Sequence, residues 1–200
     1  MNEADTIKAE ELVKQLLILI GEDPERQGLY ETPHRVVKMW KEIYGGYNPK
    51  NFPKITIFNN GQDGIVYDEM IHDFGEFNSF CEHHMINFFG KYYFAYIPHP
   101  KGKLIGLSKV ARLVDYYSAR LQVQERLTTQ IIDGLWNFLC DKKVCKYPPL
   151  GMGLVLEAEH LCKSMRGAKK KGKMRTTVLR GVFKTEHATR QEFLDWVNHE

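Results

Sequence analysis

At the start of the chain, hydrophobic positions recur at helical spacing. From about Ala4 to Ile20, Leu12, Val13, Leu16, Leu17 and Ile20 fall on one face, while Glu10, Glu11, Lys14 and Gln15 fall mostly on the other. Gly21 stands where a helix stop is expected, and a turn-rich run to Gly28 follows. Thr32-Pro33 reads as an N-cap followed by proline at the first helical position. The helix it opens carries Val36, Val37, Trp40 and Ile43 and stops at Gly45-Gly46. This pattern predicts a small helical region over residues 1–52.

From residue 53 the texture changes. Ile65 to Phe74, Phe88 to Ile97, Gly153 to Glu159 and Arg175 to Phe183 are rich in aromatic or β-branched residues and read as strands. Between the second and third lies a helical block from Ser108 to about Lys142. Its apolar positions Val110, Leu113, Val114 and Tyr117, then Leu127, Ile131, Leu135 and Phe138, keep helical spacing. Two strands, one or two helices, two strands: the order predicts an α+β domain over residues 53–200, an antiparallel sheet covered on one face by helices.

Composition narrows the class. With 43% apolar and 12% aromatic residues in 200, the chain can bury a core and is neither disordered nor fibrous. The net charge of +3 neither demands nor excludes an anionic partner, so local clustering has to decide. The apolar run Leu16–Ile20 is far short of a membrane span, which takes roughly 20 residues. The acidic residues Glu3, Asp5, Glu10 and Glu11 before it are unlike a signal peptide. A cytoplasmic protein without a membrane partner is expected, with Cys81, Cys140, Cys145 and Cys162 as thiols instead of a disulfide framework.

Two short stretches carry candidate chemistry. Cys81-Glu82-His83-His84 sets a thiol and an imidazole at i, i+3, a spacing that can face one zinc ion. A turn with a surface histidine and a buried cysteine fits the same residues. His160-Leu161-Cys162 ends an apolar run, and alternation along a strand aims His160 and Cys162 at one face. If Cys162 joins Cys81 and His84, the metal has three protein ligands and an open corner, the mark of a catalytic site. His83 and His160 are then left as proton carriers.

The anion side is read from Gly106-Leu107-Ser108-Lys109 and Arg112, a loop entering a helix capped by Ser108. Lys109 and Arg112 share its first turn, where positive side chains oppose the macrodipole unless an anion offsets them. Arg166 lies four residues after Cys162, whereas Lys169 to Lys173 reads as a solvated loop. That run has no interleaved aromatics, so nucleic acid is not the expected partner. Gln124-Glu125-Arg126 opens the second helical stretch; a buried carboxylate there can accept from two guanine N–H groups, and a plain helix-surface pair of Glu125 and Arg126 fits equally. Cys140 and Cys145 read as one buried and one loop thiol.

Taken together, the motifs resemble the GTP cyclohydrolase I family. The likeness covers Gly21–Leu29, Thr32–Val36, Ser79–His84, Ala95–Pro98, Gly106–Lys109, Gln122–Thr128, His160–Cys162 and Arg166-Gly167. It implies the tunnelling fold: a four-stranded antiparallel sheet with two helices on one face, joined with other subunits into a homo-oligomer. The usual assembly is a decamer of two pentamers with active sites between subunits.

The resemblance further implies Zn2+ on Cys81, His84 and Cys162, and a zinc-acidified hydroxide attacking C8 of GTP. Formate and 7,8-dihydroneopterin triphosphate are the implied products, in the first step of folate and pterin synthesis. His160 and His83 are implied as proton carriers and Ser108 as a helper of the ribose rearrangement. Lys109, Arg112, Arg166 and Arg35 match the triphosphate contacts, with Arg35 reaching from a neighbouring subunit, and Gln124 and Glu125 match the guanine anchor. Asn87, where many members have proline, and the basic Lys169–Lys173 depart from the family pattern without touching a ligand position. An idle relative that only binds GTP is disfavoured by the intact proton carriers and ligands.

Overall fold

The side chain of Asn2 accepts from the backbone N–H of Asp5 at 2.8 Å and starts the first helix, α1, which runs Glu3–Leu19. It does so in a computed structural model that describes residues 2–200. α2 spans Thr32–Ile43 and packs along α1, with Glu10 meeting His34 Nδ1 at 3.0 Å. Thr32, predicted as the cap, is the first helical residue instead. Its N–H already donates to Leu29 O at 2.8 Å, and Glu31 ahead of it is in the right-handed helical region, so the turn winds into the helix with no side-chain cap. Of the predicted apolar face of α1 only Val13 is buried, while Leu12, Leu16 and Ile20 lie open to solvent. The stripe is present, but this chain supplies little to cover it.

Two 3-10 turns, Gly45–Tyr47 and Pro49–Asn51, lead into the body. Gly46 donates to Ala119 O at 3.0 Å, and a Cβ on it would stand 2.2 Å from Tyr116 O, so only glycine permits this approach. The strands are β1 (Ile57–Asn59), β2 (Ile71–Cys81), β3 (Asn87–Ile97), β4 (Lys103–Ile105), β5 (Leu121–Gln122), β6 (Gly151–His160) and β7 (Lys173–Gly181). The main sheet has the order β5-β2-β3-β6-β7; β2, β3, β6 and β7 pair antiparallel, and the two-residue β5 runs parallel to β2. β1 and β4 form a separate antiparallel pair.

The four antiparallel strands agree with expectation, apart from the first. It was predicted over Ile65 to Phe74 and occupies Ile71–Cys81. Asn60 explains the shift: its side chain accepts from Tyr67 N at 2.9 Å and donates to Tyr67 O, holding that segment as a loop off the ladder.

The helical block divides into α3 (Ser108–Ser118) and α4 (Gln124–Cys140), which cover one face of the sheet. Phe77, Tyr92, Phe94, Leu154 and Leu156 meet Leu113, Val114, Leu127, Ile131 and Leu135 there. Ser108, predicted as the cap of α3, is its first residue; Leu107 holds the cap position in a helical conformation without a side-chain bond.

The alternate residues Tyr93, Ala95 and Val155 point to the opposite face. Phe183, Phe193 and Val197 from α6 (Val182–Thr185) and α7 (His187–His199) cover them, a second helical layer that the pattern did not predict. In α7 the residues Phe193, Leu194, Trp196 and Val197 bunch near the C-terminal end, so no full-length stripe announces a helix.

Candidate active site

β2 ends at Cys81, where a tight turn reverses the chain into β3. Met85 N donates to Cys81 O at 2.8 Å, Cys81 N donates to Ile86 O at 2.9 Å, and Met85 takes a positive φ of 54° to close the loop. β3 then carries the register across the sheet, pairing Phe88 with His160 at the end of β6. α5 (Leu161–Ser164) starts at the next residue. Cys162 thus sits on a helical turn, and the predicted strand alternation of His160 and Cys162 is replaced by a strand-to-helix junction. The result keeps the expected meeting: the ligand atoms of Cys81, His84 and Cys162 lie within 4.8 Å of one another.

The donor set fits a soft divalent metal. Thiolates and imidazole suit zinc far better than magnesium or calcium. Tetrahedral ligands at zinc stand about 3.5–3.8 Å apart, given bond lengths of about 2.0–2.3 Å, so side-chain adjustment of about an ångström closes the triad on an ion. Burial, then the hydrogen bond with Cys81, pushes the Cys162 thiol above its ordinary range. A metal there displaces a proton on binding.

His160 ends β6, two residues before Cys162 of the triad. Its ring stacks on Phe88 with centroids 4.5 Å apart and planes 2° off parallel. Its Nε2 lies 2.8 Å from Gln124 Oε1. Burial lowers its pKa below the ordinary histidine value, and the carboxylate of Glu125 opposes that shift. His83 stands on the other side, with Nδ1 3.6 Å from Cys81 Sγ. Arg166 donates to His84 Nε2, which sets its guanidinium against the triad. Glu125 is exposed at the first turn of α4.

Gln124 is 1% exposed. Its amide nitrogen donates to Leu156 O and Met174 O, both at 3.0 Å, and to Thr176 Oγ1 at 3.1 Å. Its side-chain amide protons are thus engaged inside the protein, next to Glu125, with which the family likeness pairs it at the guanine. Arg126 is repositioned: it turns away from Glu125 to pair with Glu82 of the ligand turn and to donate to Gln122 Oε1 at 2.9 Å. The pairing of Cys81 with Gln122, in the parallel β5 contact, brings the start of α4 to the ligand turn.

The anion group lies elsewhere in the chain. Ile105 N donates to Tyr96 Oη at 3.0 Å, which puts the entry to α3 at the Tyr96 end of β3, whereas His160 pairs at the Phe88 end. Eight residues of strand separate them, about 26 Å at about 3.3 Å per residue. No hydrogen bond or ion pair among the described residues joins the side chains of Ser108, Lys109 or Arg112 to the triad of the same chain. Arg35 is exposed on α2, and its side chain makes no hydrogen bond or ion pair to a described residue. Cys145 is buried and donates to Tyr147 O at 2.9 Å, and Cys140 is half-buried at the end of α4; neither joins a metal-capable group among the described residues.

The sequence assigned Phe88 and Thr176 no part in the site, and it did not show that Glu82 and Arg126 pair with each other. The spacing of Gln122 and Arg126, one helical turn, was the only local signal for any of them.

Known proteins bear on this site. The family model for GTP cyclohydrolase I matches residues 9–198. GTP cyclohydrolase 1 of Mycolicibacterium gilvum is 44% identical over 195 residues, covering 96% of this chain and 91% of the relative. The enzymes of the same name from Mycolicibacterium paratuberculosis and Mycobacterium ulcerans are each 45% identical over 96% of this chain, and 90% and 91% of their own lengths. A solved structure, the archaeosine synthase QueF-Like in the apo form, overlaps 56% of this chain and 93% of its own at 13% identity and a TM-score of 0.41, too distant to speak about the site. With nearly the whole length matched and the Cys81–His84–Cys162 triad assembled, the chain belongs to the GTP cyclohydrolase I family.

Proposed function

We propose that this chain hydrolyses the imidazole ring of GTP, releasing formate and forming 7,8-dihydroneopterin triphosphate. The observation that carries the reading is the three-donor triad with His160 beside it. Cys81, His84 and Cys162 would hold zinc, which when bound would supply an acidified water as the nucleophile toward C8. His160 moves a proton at the imidazole nitrogen of the base, and His83 serves as a second proton carrier. The carboxylate of Glu125 accepts from N1–H and the 2-amino group of guanine. Arg166, next to His84, meets the triphosphate, together with Lys109, Arg112 and Arg35, and Ser108 assists the ribose rearrangement.

The approach to α3 is tied to Tyr96, about 26 Å along β3 from Phe88, the partner of His160, which supports a site completed between subunits: the triad end of one chain faces the Ser108–Arg112 turn of the next. Exposed Leu12, Leu16, Leu19 and Ile20 on α1, and sheet edges that end at β5 and β7, support a homo-oligomer. We read it as a decamer of two pentamers in the tunnelling fold, with residues 1–52 a helical region and 53–200 the catalytic domain. No described helix is long and apolar enough to cross a membrane, and we take the enzyme to work in the cytoplasm.

The test is incubation of metal-analysed protein with GTP. Formate release matched by a product that fluoresces after oxidation, in proportion to bound zinc, is the expected result. Zinc-loaded protein that leaves GTP intact refutes it.

A further inference from the structure

We propose that Gln124 is a positioning residue that decides which nitrogen of His160 works: Nε2 keeps its hydrogen, and every proton exchanged with substrate passes through Nδ1. The inference deepens the ring-opening reading and rests on it for its consequence, though the hydrogen-bond logic stands independently.

The logic starts at groups that can only accept. Leu156 O and Met174 O are backbone carbonyls, each 3.0 Å from the Gln124 amide, so the group facing them must be the NH2 end. This orients the amide chemically; exchanging its ends would set an oxygen against two oxygens. Gln124 O is likewise an acceptor, so the Thr128 hydroxyl donates to it at 2.7 Å. With that proton committed, the Thr176 hydroxyl donates to Thr128 Oγ1 across 2.6 Å and is left to accept from the amide at 3.1 Å. Both amide protons are thus shared among carbonyls and one hydroxyl inside a buried network, since Gln124 and Thr128 are 1% and 0% exposed.

Oε1 is therefore fixed as an acceptor aimed at His160. The ring nitrogen 2.8 Å away must donate, which in a neutral imidazole requires the Nε2–H tautomer. The ring is held in that orientation by stacking on Phe88, with the planes 2° apart. Turning it over would aim a carbon at Oε1. Nδ1 has no protein partner among the described residues and is absent from the buried, unpartnered atoms, so it reaches solvent. The lone pair at Nδ1 is the one open to a substrate. His160 first accepts a proton from solvent at the Nδ1 lone pair and so becomes charged; when it gives that proton to the guanine nitrogen, the Nδ1–H bond breaks, its electron pair stays on Nδ1, and the Nε2–H···Oε1 bond is untouched.

The arrangement predicts a spectroscopic signature that needs no turnover. Full-length protein carrying 15N-histidine is examined by NMR, metal-free and zinc-loaded, at an alkaline pH where imidazoles are neutral, with His160 assigned by its loss in His160→Gln. The expected spectrum shows a protonated Nε2 and a bare Nδ1. Gln124→Met keeps the side-chain length but removes the acceptor, so the His160 signal should become a mixture of tautomers. Thr176→Val trims the same network without touching Oε1 and should keep the wild-type tautomer. In turnover, Gln124→Met should lower kcat by about 10- to 100-fold, as for other residues that orient a working group, with KM for GTP moving little. A bare Nε2 in the wild type overturns the proposal. So does a Gln124→Met enzyme with raised KM and unchanged kcat, because that is the behaviour of a substrate contact. Wild-type protein that releases no formate refutes the ring-opening reading and leaves the tautomer measurement to be judged separately.

Discussion

Cys162→Ala removes one of three donors whose ligand atoms lie within 4.8 Å. Cys162 sits on a four-residue helix and is only half-buried, so losing its sulfur opens little core volume. Stability of the metal-free protein should change by less than about 1 kcal/mol. Metal affinity should change far more. Zinc held by four protein ligands is worth about 10–16 kcal/mol at neutral pH, or about 2.5–4 kcal/mol per ligand, which corresponds to about 70- to 900-fold in affinity. The assay is zinc competition against a coloured chelator, run beside thermal unfolding of the metal-free protein and formate release. Cys140→Ala is the control, since Cys140 lies outside the triad and should bind zinc like the wild type. A Cys162→Ala protein that holds zinc with wild-type affinity, or turns over GTP without zinc, refutes the assignment.

Because burial and Cys81 hold the Cys162 thiol above its ordinary range, it is protonated at neutral pH and zinc must displace that proton. Zinc affinity should therefore rise with pH, by up to about tenfold per unit for each proton displaced, and a flat profile in the competition assay contradicts this. Glu125→Ala should lower kcat/KM for GTP by about 10- to 150-fold, the loss of about 1.5–3 kcal/mol from a charged hydrogen-bond pair, with zinc content unchanged in metal analysis. Burial raises the Asp73 carboxyl pKa, against the opposing Tyr92 hydroxyl 3.3 Å away. A raised folded pKa means stability present below the unfolded value and lost as pH rises through the folded one. Asp73→Asn should thus raise Tm at neutral pH, and the gain should vanish on acidification; an equal gain at both pH values argues against the cause given. Leu16→Glu with Leu19→Glu charges the open face of α1, where these residues are 54% and 83% exposed; light scattering should report a smaller assembly, and an unchanged mass removes α1 from the interface.

Much of the site was legible in the residues, and the reason is local chemistry. Cys81 and His84 share one turn, and His160 and Cys162 flank one junction, so the donors announced themselves at short range. The error in the first strand came from favouring β-branched Ile65-Val66 over Ile71–Cys81, whose alternation is blurred by an exposed Phe74 and by Asp73 and Ser79 on the inward side. No pattern within 60–67 revealed that one asparagine would hold Tyr67 by both backbone groups. The α7 layer was missed because a helix packed on a sheet by one end lacks the periodic stripe that identifies helices.

Sequence alone determined the types of most of the main helices and strands, the candidate donors and the family likeness, because periodicity, residue chemistry and motif order are written along the chain. Tertiary structure decided what each donor meets. Whether Arg126 faces Glu125 or Glu82, whether Gln124 serves a base or His160, and whether Lys109 shares an end of the sheet with Cys162 all depend on strand register and the parallel β5 contact. Those are set by packing between segments dozens of residues apart, and hydrogen-bond direction follows only once the partners have been brought together.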